Sequence, residues 1–236
     1  MTVIISRRAL LATTGVALVA PRTTWGAPVV PPLLDHILLG CSDLEHGIDF
    51  VERRAGVRAA FGGVHPGRGT QNALLSLGER RYLEIIAPDP KQNVPEQQDK
   101  YKTLKEPRLI GWAAHPGDLE QFAVRLRKAG IAFESPRPGS RRRPDGRVLN
   151  WKTLTLKDDR GGLLPFFIEW SADSIHPSAD APHGCTLRHF TAATPESEDL
   201  ANVAVRLQLD LEVSTFSEPA LHATIAGPNG EFTFGS

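Results

Sequence analysis

No C-x-x-C pair, no G-x-S-x-G turn, no phosphate-cradling glycine loop and no H-E-x-x-H helix occurs in this chain. Their absence argues against thiolate metal clusters, elbow-borne serine nucleophiles, P-loop phosphoryl transfer and zincin-type hydrolysis. Cysteine is scarce, with only Cys41 and Cys185 in 236 residues. Two thiols make no disulfide framework, and the sequence leaves open whether they pair. Basic and acidic residues balance at 27 each, so no positive surplus draws nucleic acid.

Long apolar runs are also missing. The Ala-rich stretch Leu10–Ala20 is too short to span a bilayer comfortably. It follows Ser6-Arg7-Arg8 and precedes Trp25-Gly26-Ala27. Charged region, apolar region and small-residue site together make an export signal over residues 1–27. Its arginine pair resembles the twin-arginine type, which predicts a periplasmic or secreted protein with no stable membrane span after signal removal. A membrane anchor and a plain first helix are the competing readings.

What is present is a set of apolar strand-like runs, each carrying one polar residue. Leu33–Gly40 holds His36, Arg81–Pro90 holds Glu84, and Leu163–Trp170 holds Glu169. An isolated polar side chain in an apolar strand is costly to bury unless something binds it. One imidazole and two carboxylates therefore point to a divalent metal or a polar pocket inside a cupped sheet. Nitrogen and oxygen donors of this kind suit Zn, Fe, Mn, Ni or Co. The competing readings are a histidine bonded to backbone and carboxylates that are solvated or paired with arginine.

The elements repeat. After a Pro-rich lead-in, Leu33–Gly40 reads as a strand, and Ser42 or Asp43 caps a helix running to Ala55 before Gly56. Val57–Phe61, Thr70–Leu77 and Arg81–Ala87 read as strands, with Gly62–Gly69 as a turn. The order β-α-β-β-β recurs: a strand at Leu109–His115, a helix opened by Asp118, then strands at Ile131–Glu134, Arg147–Leu156 and Leu163–Trp170. Within that second copy, Pro136–Gly146 reads as a basic turn. The predicted organisation is an export signal at 1–27, a first module at 28–90, a linker at 91–107, a second module at 108–178 and a partial third module at 179–236. The fold class is α+β, with the paired modules forming a cupped mixed sheet.

This repeat resembles the vicinal oxygen chelate superfamily, and most of all its glyoxalase-like branch. The resemblance rests on Leu34-Asp-His-Ile-Leu38, Gly69-Thr-Gln-Asn72, Tyr82-Leu-Glu-Ile85, Pro144–Val148 with Trp151, and Pro165–Trp170. It implies a metal held by first- and fourth-strand residues of two modules. The matching positions are His36, Glu84 and Glu169; the fourth falls on Gly111, which carries no ligand. Water, substrate oxygens, His115 or His189 could fill that place.

For substrate contact the candidates are Asn72, facing inward if its strand begins at Thr70, Arg147 at a strand entrance and Trp151. His65, Arg68 and Thr70 lie on the same hairpin as further contact candidates, though His65 and Arg68 read more readily as solvent-facing turn residues; His176 and His183, in a later loop, read as solvated. Arg141-Arg142-Arg143 could clamp a carboxylate or phosphate, or form a solvated hairpin tip. Glu84 and Glu169 are the candidate catalytic bases. The expected function is metal-dependent lyase, isomerase or dioxygenase chemistry on a small oxygen-rich molecule. Two alternatives stand beside it: a non-catalytic binder of a small ligand, and a structural copy of the fold. Two chains could associate as a homodimer.

Overall fold

The computed structural model describes residues 29–236, without the side chains of 95–98. The expected export signal lies outside the described residues. The first module comprises β1 (Leu34–Gly40), α1 (Leu44–Ala55), β2 (Ala60–His65), β3 (Thr70–Ser76) and β4 (Tyr82–Pro88). Helix α2 (Pro95–Lys102) occupies the predicted linker. The second module is β5 (Arg108–Ala114), α3 (Leu119–Lys128), β6 (Arg137–Arg142), β7 (Val148–Leu154) and β8 (Phe166–Trp170). A short α4 (Pro177–Asp180) leads to β9 (Thr186–Thr194), α5 (Ser197–Arg206), β10 (Glu212–Thr215), β11 (Ala220–Gly227) and β12 (Gly230–Gly235).

Local chemistry sets the helix ends. Asp43 accepts the backbone N–H of His46 and caps α1, and Gly56 ends it in the left-handed region at φ 79°. Asp118 does the same for α3 through Gln121. In both helices the apolar residues share one face. Ile48 and Val51 of α1, with Phe122 and Leu126 of α3, are buried in the main core.

Each module lays its strands in the same order, its first strand parallel to its fourth. The modules join where β1 runs antiparallel to β5, which gives the order β2-β3-β4-β1-β5-β8-β7-β6. The result is a strongly curved, nearly closed mixed sheet of α+β architecture. Its two edges approach one another: a Cβ on Gly63 of β2 would sit 2.8 Å from the Arg142 carbonyl oxygen of β6. The third unit repeats the element order but not the pairing, since β9 lies between β10 and β11 in a separate four-stranded sheet.

The convex face of the large sheet carries the core. Ile37, Leu39, Leu83, Ile85 and Phe167 are fully or almost fully buried there, and Trp112 meets Phe190 of the second sheet at 5.1 Å between ring centroids. The β11–β12 turn docks on the end of α1. Asn229 gives its backbone N–H to Ala55 and its side-chain amide to Arg53, satisfying two terminal carbonyls. Gly227 has no room for a side chain, because a Cβ would lie 2.2 Å from the Ala55 carbonyl oxygen. Backbone cannot swing aside as a side chain can. Gly227→Ala is therefore expected to lower stability by about 1–3 kcal/mol, read as a lower urea midpoint with an unchanged slope.

Two expectations are corrected here. The glycine-rich "turn" at Gly62–Gly69 holds the last four residues of β2, and the basic "turn" at Pro136–Gly146 holds the whole of β6. Cys41 and Cys185 are both buried free thiols, not a bridge. Burial pushes their pKa values up to about 12 and about 11, so both are inert. No helix of the described residues is long and apolar enough to cross a membrane.

Candidate active site

The concave face of the sheet encloses a cavity of about 420 Å³. At its floor, neighbouring strands bring three predicted residues close. β1 and β4 run parallel with His36 beside Tyr82 and Leu38 beside Glu84, so His36 and Glu84 sit diagonally on one face. β3 pairs Leu74 with Glu84, which places Asn72 one step along the same face. The Asn72 side-chain nitrogen donates to Glu84 Oε1 at 2.6 Å.

Glu84 is 8 % exposed, yet its pKa is lowered. Burial is the largest influence and pushes it up; His65, His36, the Asn72 bond and Arg141 together outweigh it. Glu84 is thus a buried carboxylate held ionised by its neighbours. His36 Nε2 lies 3.6 Å from Glu84 Oε2, and His65 Nε2 lies 3.5 Å from Oε1.

The hydrogen bonds assign the amide and the tautomers. Arg141 donates from Nη1 to Asn72 Oδ1 at 2.6 Å, so the Asn72 nitrogen must face Glu84. That nitrogen also reaches His65 Nε2 at 3.3 Å, which is then an acceptor, and His65 Nδ1 donates to Thr70 Oγ1 at 2.9 Å. Burial lowers the His65 pKa most, with Arg141 and Arg68 helping and Glu84 opposing.

Behind His36 stands a second carboxylate. Asp35 is 2 % exposed. It accepts from His36 Nδ1 at 2.7 Å, Trp170 Nε1 at 3.1 Å and His176 Nε2 at 3.2 Å. The Ser178 backbone N–H donates to His176 Nδ1, which fixes the proton on Nε2. Burial pushes the Asp35 pKa up, but the two histidines overcome it and hold the carboxyl well below the usual carboxylate range. Tyr82 stacks on the His36 ring at 4.5 Å, and burial keeps its phenol neutral. Asp35, His36 and Glu84 form a line of carboxylate, imidazole and carboxylate ending in the cavity.

Not every predicted residue joins. Glu169 does not belong to this site. Phe166, Ile168 and Trp170 of β8 line the cavity, so strand alternation turns Glu169 to the opposite face. There it accepts the Leu119 N–H at 2.8 Å, at the positive end of α3. Trp151 lines the cavity wall, with Trp170 at 5.5 Å between ring centroids. Arg147 does not line it; it is bound to Asp145 at 2.7 Å and Asp180 at 3.1 Å on the surface. Gly111 offers no side chain, and His115 and His189 do not line the cavity. His176 is not solvated, as its bond to Asp35 shows. Asp35 and His65 are the residues missed as members, and of the arginine run offered as a clamp it is Arg141 that lines the cavity. The Asp-His pair in Leu34-Asp-His-Ile-Leu38 was the available signal for Asp35.

The four-residue metal centre implied by the resemblance does not fit. Its second-module places hold Gly111 and the outward-turned Glu169. The two imidazoles approach different oxygens of Glu84. Among the described residues no group of three or more His, Cys, Asp or Glu is placed to hold a metal ion. The Arg141 guanidinium also stands among the donors, where it opposes a cation.

The family described as "Glyoxalase-like domain" matches residues 34–208. No curated protein matches the chain. Among solved structures, a hypothetical protein from Staphylococcus aureus is 16% identical with a TM-score of 0.58, over 86% of this chain and 84% of that one. A methylmalonyl-CoA epimerase from Mycobacterium tuberculosis is 21% identical with a TM-score of 0.42, over 62% of this chain and 92% of that one.

Proposed function

Because the chain belongs to the glyoxalase-like domain family, we propose that its cup takes a small, oxygen-rich molecule and moves a proton on it, as an isomerase or lyase. The observation that carries this reading is Glu84: a buried carboxylate, kept ionised, at the floor of a cavity with His36 and His65 on either side. A carboxylate so placed accepts a proton from a carbon next to a carbonyl. The C–H bond breaks, its electron pair passes to the carbonyl oxygen as an enolate, and Glu84 holds the proton. Return of that proton to the same or the neighbouring carbon gives exchange, epimerisation or isomerisation. Loss of a group from the next carbon gives elimination.

A carboxylate with a lowered pKa is a weak base. Rate must therefore come from placement and from stabilising the enolate oxygen, for which the Asn72 amide stands nearby. Export through residues 1–27 and a periplasmic or secreted address belong to the same proposal, and rest on Arg7, Arg8 and the apolar run after them.

The test is solvent exchange. The full chain is incubated in D₂O with a panel of hydroxyketones, 2-oxo acids and 2-hydroxy acids, and loss of carbon-bound protons is followed by NMR. Exchange on at least one compound supports the proposal; exchange on none overturns it. Elemental analysis is run alongside. A stoichiometric Zn, Fe, Mn, Ni or Co that vanishes in Glu84→Gln would replace this reading with metal-dependent chemistry.

A further inference from the structure

We infer that Arg141 anchors a substrate carboxylate, so that the cup selects small organic acids over neutral molecules of the same shape. The inference rests on the proton-transfer reading for the chemistry after binding, but not for the binding itself.

Arg141 is 4 % exposed, and buried arginines are normally paired with an acid. This one makes no ion pair with a carboxylate of the described residues. Its bond is to the neutral Asn72 Oδ1, and the residue lines the cavity. The charged side chains of the cavity wall are Glu84 against Arg68, Lys100 and Arg141. An anion entering the cup finds a positive surplus, and the buried member of it is a planar fork that suits a carboxylate. A phosphate would carry a second negative charge past the ionised Glu84.

The geometry also puts such an acid in register with the base. Only the Asn72 amide separates guanidinium from carboxylate, with 2.6 Å bonds on both sides. A carboxylate on Arg141 therefore holds the neighbouring carbons of the acid within the part of the cup that Glu84 faces.

Gly62 makes room for this arrangement. A Cβ there would lie 2.4 Å from Arg141 Nη1 and 2.5 Å from Asn72 Oδ1. This is a second handle on the guanidinium, independent of its charge.

The experiment compares pyruvate and lactate with their methyl esters, by calorimetry or ligand-observed NMR on the full chain. The acids are expected to bind about 10- to 100-fold more tightly than the esters. Arg141→Met removes that preference, and Arg141→Lys keeps part of it. Gly62→Ala weakens acid binding with the charge intact, and decides the matter if Arg141→Met fails to fold. Equal affinity for acid and ester, no acid binding by the wild-type protein, or unchanged acid binding in Arg141→Met would each overturn the anchor. Acid binding without exchange of carbon-bound protons would support the anchor and overturn the proton-transfer reading.

Discussion

Asp35→Ala is expected to lower stability by about 3–5 kcal/mol at pH 7. The side chain is buried and accepts three donors, from His36, Trp170 and His176. Truncation leaves those donors around a cavity no larger than the lost carboxyl. His36 would also lose the acceptor that orients its ring. Asp35→Asn retains one acceptor atom and should cost less. The pH dependence comes from the direction of the shift. The folded-state pKa lies below the unfolded value, so the ionised group stabilises the fold fully at pH values above the unfolded pKa. That contribution fades as pH falls from the unfolded pKa towards the folded one. The gap between wild type and Asp35→Ala should stay constant from pH 8 to about 4.5 and narrow below about pH 4. Urea midpoints at each pH measure it. A gap that widens on acidification would mean that Asp35 is buried as the neutral acid.

The helices and inner strands were legible because their signals are local. Asp43 and Gly56 bracket α1 by cap chemistry, and the apolar runs of β1 and β4 need burial on both faces whatever lies beyond them. The sheet edges were not legible. Gly62-Gly63 in β2 and Pro138-Gly139 in β6 carry turn residues, and they are strands only because each edge pairs with its neighbour and faces the other across the nearly closed cup. Two members of the floor beside Glu84 come from those edges: His65 from β2 and Arg141 from β6. The tertiary closure thus turns into the cavity residues for which a solvent-facing turn was the competing reading.

The Glu169 error has a different source. Glu84 is the third residue of β4, whereas Glu169 is the fourth of β8. With a side-chain period of two, that single step carries a residue from cavity to helix face. The repeat was correct as topology and wrong by one in register. Asp35 escaped for a related reason. The β1–β5 ladder shifts register between Leu34 and His36, so strict alternation does not hold at the residue between them.

Glu84→Gln is expected to slow carbon-proton exchange by about 10²- to 10⁴-fold, which is about 3–5 kcal/mol of barrier. The substitution keeps volume and an acceptor oxygen for the Asn72 amide, so fold and ligand binding should persist. It removes the lone pair that takes the proton. Arg141→Met should act on the other parameter, raising the substrate concentration needed for half-maximal rate, because it removes an anchor rather than the base. The two variants thus divide the site along a line that a purely structural role for Glu84 would not produce. Such a role would lower thermal stability and binding together. The pH profile gives an independent check. Because His65, His36, Asn72 and Arg141 hold Glu84 below its ordinary 4.5, the carboxylate contributes no inflection at or above that value. A rate that falls on acidification through pH 5–6, with that limb absent in Glu84→Gln, would place the Glu84 pKa above the usual range. The burial of this carboxyl would then outweigh its neighbours, and the base would be a protonated acid for much of its working range.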